Sequence, residues 1–180
     1  MMVVLWFSAI GLKRGQRPGP FRQWLLDLEL TIGCRMTMLC FGVFWCERQQ
    51  VAYDYSKYLG PDYKFDLATA FKGTSTYVAN HQSFGDILLM LTLCSPKPGF
   101  ISKEMVKKVF AVGYIADVVL KSLFVKRDDS KSKRGVLEQV ALRQKEAVEG
   151  INTPVAIYPE GATTTGKGLL TFKKGPFAAL

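Results

Sequence analysis

The second half of the sequence alternates short apolar segments that have strand character with longer segments that have helical character. Strands are predicted at residues 75–79, 99–102, 123–126 and 154–158. Helices are predicted between them, at residues 84–94, 103–110 and 132–149. Such alternation favours an α/β fold with a mostly parallel sheet flanked by helices, whose active-site loops lie at the carboxyl ends of the strands.

The N-terminal part of the chain has a different, more apolar composition. Residues 1–12 are nearly all apolar and Lys13 follows them, whereas a secretory signal carries its positive charge first. This run is also shorter than the roughly 20 apolar residues that span a bilayer. Residues 24–45 are long enough, but they contain charges that are costly inside a membrane, namely Asp27, Glu29 and Arg35. We therefore predict a membrane-associated helical hairpin; the alternative is a helix buried in an ordinary globular core.

A polar, tyrosine-rich stretch at residues 47–65 separates this region from the alternating elements. We place the boundary near residue 70, so that residues 1–69 form the N-terminal region and linker and residues 70–180 form the core domain. Residues 172–180 look like the opening of another element and end without a polar cap. We therefore expect the core domain to continue past Leu180.

The net charge favours an anionic partner. The chain has 24 Lys and Arg residues against 15 Asp and Glu residues, a formal net charge of +9 at pH 7. Nucleic acid, anionic lipid and phosphorylated small molecules all fit such an excess. The basic runs carry no nucleic-acid recognition motif and few interleaved aromatic residues, so we expect no nucleic-acid partner.

The four cysteines favour a reducing environment rather than a metal site. Cys34, Cys40 and Cys46 recur every six residues inside an apolar run, and Cys94 lies far from them. This spacing fits no zinc pattern, and the sequence offers a single histidine as a nitrogen ligand. We predict buried, reduced cysteines and no bound metal.

The single histidine, His81, lies within residues 80–86, Asn-His-Gln-Ser-Phe-Gly-Asp, between a predicted strand and a predicted helix. With His81 in the turn and Asp86 in the first helical turn, the carboxylate can reach the imidazole, fix its tautomer and stabilise its protonated form. His81 would then act as a general base toward a hydroxyl. The alternative is a capping box, in which Asp86 has a local role and His81 is an ordinary loop residue. The residues alone favour neither.

The glycine-rich loop after the fourth predicted strand, residues 158–168, is a second candidate site. Gly161, Gly166 and Lys167 have the spacing of a phosphate-binding P-loop, but Gly168 replaces the Ser or Thr that would hold Mg²⁺. A nucleotide hydrolase is therefore disfavoured. Glycine-rich backbone beside hydroxyl groups is nevertheless suited to cradling a phosphate or an oxyanion.

Arg127, at the end of the third predicted strand, points toward the same edge of the sheet. Its guanidinium group is suited to a bidentate phosphate contact. The alternative is a solvated surface charge, because other lysines and arginines crowd this stretch. Lys103, Lys107 and Lys108 likewise suit either an anionic ligand or water.

Taken in order, these motifs resemble those of the membrane glycerolipid acyltransferase family. The first is the His-x4-Asp box at residues 80–86, the second is a strand that ends in Arg127, and the third is Tyr-Pro-Glu-Gly at residues 158–161. The sequences Glu-Gly-Ala-Thr-Thr at 160–164 and Phe-Lys-Lys-Gly at 172–175 look most like the lysophosphatidylcholine/lysophosphatidylethanolamine acyltransferase branch. The similarity covers roughly residues 59–180.

The resemblance implies acyl-CoA-dependent transfer of a fatty acyl chain to a lysophospholipid hydroxyl, in phospholipid synthesis or remodelling. His81 would be the general base and Asp86 would orient its ring. The acceptor would be positioned by residues of the second and third motifs, namely Arg127, Glu160, Gly161, Thr163 and Thr164. Thr163 stands where many family members have arginine, which places more of the phosphate binding on Arg127.

The same resemblance implies acyl-CoA as a co-substrate, with no cofactor or metal held by the protein, and membrane lipid as a partner. It also implies a membrane location, at the endoplasmic reticulum, with the catalytic domain facing the cytosol. The alternative function is a non-catalytic basic module that binds membrane surfaces, because the net charge and the apolar N terminus suffice for that.

Overall fold

The computed structural model describes residues 8–16, 18–47, 49, 51, 53–64, 75–109, 111–125, 130–174 and 177, with the backbone alone for 130–134. The helices of this part are α1 (Pro20–Cys40), α2 (Ser56–Leu59), α3 (Gly85–Leu93), α4 (Val112–Tyr114) and α5 (Ser130–Val148). A 3₁₀ helix, Glu104–Lys108, precedes α4, and a π-helical turn, Ile115–Val119, follows it. The strands are β1 (Thr76–Val78), β2 (Gly99–Lys103), β3 (Leu123–Val125) and β4 (Val155–Ile157).

The four strands form one sheet in the order β1-β4-β2-β3, and each pair of neighbours is parallel. The last of these described strands, β4, is therefore a central one: Ala156 pairs with Tyr77 on one side and with Phe100 on the other. Parallel neighbours need crossover connections, which are provided here by α3, α4 and α5. The predicted α/β fold with a parallel sheet flanked by helices is confirmed.

The two faces of the sheet are covered by different helices. Ala156 joins a cluster that includes Leu30 of α1 and Leu91 of α3, whereas Val155 and Ile157 pack with Val140 of α5. Side chains alternate across a strand, so β4 supplies both cores and all three of its residues are buried. The central strand thus fixes the sheet between two helical layers.

Helix α1 is buried along one side only. Proline at its first position is compatible with a helix start, and its buried residues recur at helical spacing: Leu26, Leu30, Gly33, Cys34 and Met38. The opposite side exposes Trp24, Leu28, Ile32 and Met36. Within the described residues, no helix has both the length and the apolar character needed to cross a membrane. Residues 1–7 of the other predicted hairpin arm and the predicted domain boundary near residue 70 lie outside the described residues, so both stay predictions.

Two local predictions need correction, and one helical segment is additional to those that the sequence predicts. The predicted basic helix 103–110 is shorter and of a different kind, because Lys103 ends β2 and the 3₁₀ helix covers Glu104–Lys108. The helical segment Val112–Val119 had not been predicted at all; there Gly113 lies so close to the Lys107 carbonyl that a side chain would clash. Cysteine burial holds for Cys34, but Cys40 is exposed.

Candidate active site

All four strands deliver residues to one cleft at their carboxyl ends. The cleft has a volume of about 490 Å³. It is lined by residues that end or follow each strand, among them His81 after β1, Lys103 in β2, Val125 in β3 and Tyr158 after β4. This is the edge at which ligands bind in open parallel sheets.

His81 and Asp86 form a hydrogen-bonded pair in this cleft. The Nδ1 atom of His81 lies 2.8 Å from Oδ2 of Asp86, and the two side chains keep only 18% and 23% of their accessible surface. An ionised carboxylate accepts hydrogen bonds and cannot donate them, so Nδ1 carries the hydrogen and Nε2 has the lone pair. The pair therefore has the tautomer that a general base requires.

The same carboxylate oxygen also binds the turn that leads into helix α3, with contacts of the capping-box type. Oδ2 of Asp86 accepts the backbone N–H groups of Gln82 at 2.7 Å and Ser83 at 3.0 Å. The Ser83 hydroxyl in turn accepts the N–H of Gly85. The two interpretations of the sequence are therefore compatible, since the capping contacts hold Asp86 where it meets the imidazole.

Glu160 binds the backbone of the segment that carries His81. Its side chain is 2% exposed, and its Oε1 accepts the backbone N–H of His81 at 2.8 Å while Oε2 accepts that of Leu170 at 3.0 Å. The Thr164 N–H donates to the His81 carbonyl at 2.8 Å. Both peptide groups of His81 are thus fixed by the loop that follows β4.

Tyr158 lies flat against the His81 ring. The ring centroids are 4.2 Å apart and the planes are inclined by 19°. The Tyr158 hydroxyl donates to the Met90 sulfur at 3.1 Å, and burial followed by the nearby Asp86 raises the pKa of this phenol well above its ordinary value. The phenol is therefore a neutral, anchored platform for the imidazole.

The predicted site residues occupy different places around the cleft. His81, Gly161 and Thr163 line it, and Thr164 supports it through its backbone. Glu160 lies beneath the loop with both carboxylate oxygens bonded to backbone N–H groups. Residues 126–129, and with them Arg127, lie outside the described residues.

Two residues of the cleft were not singled out from the sequence. In the sequence, Tyr158 is recognisable only as part of the third motif, and Lys173 only as part of the Phe-Lys-Lys-Gly segment. Both nevertheless line the cleft that His81 lines. The position of Tyr158 was visible in principle, since the residue that follows a central parallel strand faces the ligand edge, whereas no local signal places Lys173 there. Among the described residues, there is no group of three or more side chains of the His, Cys, Asp and Glu types that could hold a metal ion.

A second cavity, of about 380 Å³, lies between α1, α3 and the strands. Its walls are almost entirely apolar and include Leu30 and Cys34 from α1 and Leu88 from α3. Ser102 of β2 lines both this cavity and the cleft that holds His81. An apolar cavity therefore adjoins the polar site.

Comparison with known proteins agrees with this geometry. Residues 63–180 match the family model described as Acyltransferase. The chain is 31% identical over 165 residues to the lysophospholipid acyltransferase LPEAT1 of Arabidopsis thaliana, covering 81% of this chain and 38% of that protein. It is 28% identical over 103 residues to a 1-acyl-sn-glycerol-3-phosphate acyltransferase of Haemophilus influenzae, covering 57% of this chain and 41% of that protein.

The fold is similar to that of the crystal structure of the 1-acyl-sn-glycerophosphate acyltransferase PlsC of Thermotoga maritima. The TM-score is 0.60 at 20% sequence identity, and the match covers 98% of this chain and 59% of that one. The protein thus has the fold of this class, a parallel α/β sheet, with a His–Asp pair at the carboxyl edge of the sheet. The chain belongs to the Acyltransferase family. It spans about two fifths of the length of the two curated relatives.

Proposed function

We propose that this protein transfers a fatty acyl chain from acyl-CoA to the hydroxyl of a lysophospholipid. The observation that carries the proposal is the 2.8 Å contact between Nδ1 of His81 and Oδ2 of Asp86, in a cleft that offers Nε2 as a base. The chemistry of the relatives, which are named as acyltransferases of lysophospholipids or acylglycerol phosphates, supports the choice of acceptor.

In this reaction Nε2 of His81 takes the proton of the acceptor hydroxyl as its oxygen attacks the thioester carbonyl carbon. The new C–O bond forms, the carbonyl oxygen becomes negative, and the negative charge of Asp86 stabilises the imidazolium. When the C–S bond breaks, the thiolate of coenzyme A leaves and takes the proton from Nε2. Stacking on Tyr158 and the hydrogen bond to Asp86 together restrict rotation of the ring.

The acceptor is placed by the loop after β4 and by the second motif. Gly161 and Thr163 line the cleft and are within reach of a headgroup, and Thr164 fixes the loop to His81. Arg127 supplies a guanidinium group for the acceptor phosphate. Glu160 contributes to acceptor binding indirectly, by holding the loop that carries the other residues.

The apolar cavity beside the cleft takes a fatty acyl chain. Its lining is suited to hydrocarbon, and it shares Ser102 with the cleft, so that a chain lying in it would have its carbonyl end near His81. Helix α1 closes one side of this cavity through Leu30 and Cys34. The N-terminal region therefore contributes to the substrate site of the core domain.

The exposed surface of the N-terminal region supports an association with membranes. Beyond the exposed stripe of α1 lie Phe41, Phe44 and Trp45, with 63%, 74% and 80% of their surfaces accessible. Phe41 packs against Phe84, two residues before Asp86, with ring centroids 5.1 Å apart. We propose that this apolar surface rests on lipid and brings the cleft to its acceptor. The cytosolic face of the endoplasmic reticulum suits the free cysteines.

The test is acyl transfer by the purified full-length protein with labelled acyl-CoA and a panel of lysophospholipids. We expect His81→Ala to abolish transfer while its melting temperature stays within a few degrees of the wild type. Gln139→Ala, on the exposed face of α5, is the matched control and should retain full activity. Transfer by the His81→Ala protein at the wild-type rate would exclude His81 as the base.

The same assay separates the enzyme from the rival, a non-catalytic basic module at membrane surfaces. That function is favoured by the net charge of +9 and predicts salt-sensitive binding to anionic vesicles without acyl transfer. Transfer that depends on His81 excludes it.

A further inference from the structure

Lys173 lies in the cleft, far along the sequence from the motif that holds His81. Its Nζ is 2.6 Å from the position that a Cβ atom on Gly161 would occupy, so the side chain passes over that glycine. Its backbone N–H donates to the Pro159 carbonyl at 2.9 Å. The lysine is therefore tied at its main chain to the residue next to Glu160, and its ammonium group is directed at the site.

The charged side chains of the amine and carboxylate types that line the cleft are all positive among the described residues. Lys103 and Lys173 line it, and none of the described residues that line it is acidic. The two carboxylates of the sequence motifs already have partners: Asp86 binds His81, and Glu160 binds two backbone N–H groups. In the described part of the chain, Lys173 forms no ion pair with a carboxylate, whereas Lys107 lies 3.7 Å from Asp117.

A cleft with two ammonium groups and no facing carboxylate is suited to a multivalent anion. We propose that Lys173 binds the phosphate group of the acceptor in this cleft. The inference rests on the proposed acyl-transfer function and adds a specificity-determining residue to it. Lys173 passes over Gly161 and lines the same cleft as Gly161 and Thr163, the residues proposed to place the acceptor. Its ammonium group supplies a positive charge near Thr163, which has only a hydroxyl at the position where many family members have arginine.

The phosphates of coenzyme A have the same chemistry as the acceptor phosphate, so the test measures the two substrates separately. The full-length wild type is compared with Lys173→Met, Lys173→Arg and the matched control Lys174→Met, whose lysine is exposed and does not line the cleft. Lys173→Met should raise the KM for lysophospholipid about tenfold, the usual effect of removing one charged hydrogen bond, with less change in kcat. Lys173→Arg should restore most of the affinity, and Lys174→Met should behave as the wild type.

A rise in the KM for acyl-CoA, with the acceptor KM unchanged, would assign Lys173 to the donor phosphates and overturn the acceptor assignment. Unchanged values of both KM would overturn the proposal altogether. Calorimetric binding of a short-chain lysophospholipid and of the phosphate-free monoacylglycerol keeps the test independent of turnover. Weaker binding of only the phosphate ligand by Lys173→Met supports the proposal even if no acyl transfer occurs, and equal binding by both proteins refutes it.

Discussion

The Glu160 carboxylate accepts the backbone N–H of His81 at 2.8 Å, a contact between residues 79 positions apart in the sequence. The other oxygen of the same carboxylate accepts the N–H of Leu170. A carboxylate can accept two such bonds at once, whereas an amide has one accepting oxygen and an N–H₂ group. This difference leads to the first prediction.

Glu160→Gln should lower kcat by about tenfold or more and raise the KM for the acceptor to a smaller extent, because the N–H₂ group must face one of the two backbone donors. We expect a loss of about 1–3 kcal/mol in the free energy of unfolding. Steady-state kinetics and thermal melts measure both effects, with Glu149→Gln, at the exposed position just after α5, as the control. A large rise in acceptor KM at constant kcat would instead indicate direct contact between Glu160 and the acceptor.

Substitutions at Asp86 should separate its two roles. In Asp86→Asn an amide oxygen can replace Oδ2 and keep the three contacts, so stability should change little while the lost negative charge lowers kcat by about 10²–10⁴-fold. Asp86→Ala removes the capping contacts as well and should cost roughly 1–2 kcal/mol of stability. Denaturant titrations and kinetics distinguish the two variants, and full activity in Asp86→Asn would leave Asp86 with the capping role alone.

The ring of Tyr158 should matter more than its hydroxyl. Tyr158→Phe keeps the stack on His81 and should retain kcat within about threefold. Tyr158→Leu removes the aromatic face against which the imidazolium forms, and should reduce kcat by about 3–30-fold, the usual worth of such a contact. Rates of both purified variants at saturating substrate decide the matter: equal losses would show that the hydroxyl contact with Met90 is what counts.

Replacement of two glycines by alanine should change the stability of the protein in opposite directions. At Gly113 a Cβ atom would collide with the Lys107 carbonyl, so Gly113→Ala should destabilise the protein by about 1–3 kcal/mol. Gly135, inside α5, has open space around the corresponding position, and Gly135→Ala should stabilise it by about 0.5–1 kcal/mol. Urea unfolding of the two variants gives both signs in one experiment, and destabilisation by Gly135→Ala would contradict the open surroundings.

The thiols should differ in reactivity. Burial raises the pKa of Cys34 to about 11, so at pH 8 only about one molecule in a thousand carries its thiolate. Cys40 is exposed and should be alkylated by iodoacetamide much faster in the native protein. Mass spectrometry of a time course, with the urea-unfolded protein as the reference in which the rates converge, tests this order. Equal native rates would mean that α1 does not stay packed on the core.

The sequence was sufficient for the fold because each strand is short, apolar and bounded by turn residues, and because the helix ending at Gly150 has a clear apolar face. It was also sufficient to bring His81 and Asp86 together, since their contact is local. The segment Val112–Val119 was missed because eight mostly apolar residues, interrupted by Gly113 and Asp117, are too few to show a period that distinguishes helix from strand.

The contacts of Glu160 and Tyr158 were out of reach for a different reason. They depend on β4 lying beside β1, and no local pattern states which parallel strands are neighbours. The same topology explains why Cys40 is exposed although it belongs to the same apolar run as Cys34, because α1 contacts the core along one side only.

The place of β4 also has a consequence for synthesis of the chain. Of the four described strands, β4 is synthesised after the other three, yet it must enter the sheet between β1 and β2. Until then the partners of His81 at Glu160 and Thr164 do not exist, and the edges of β1 and β2 stay open. The contacts of His81 with Glu160 and Thr164 therefore form in the same step that closes these strand edges, and before that step the open edges of the nascent protein are exposed to aggregation or to a chaperone.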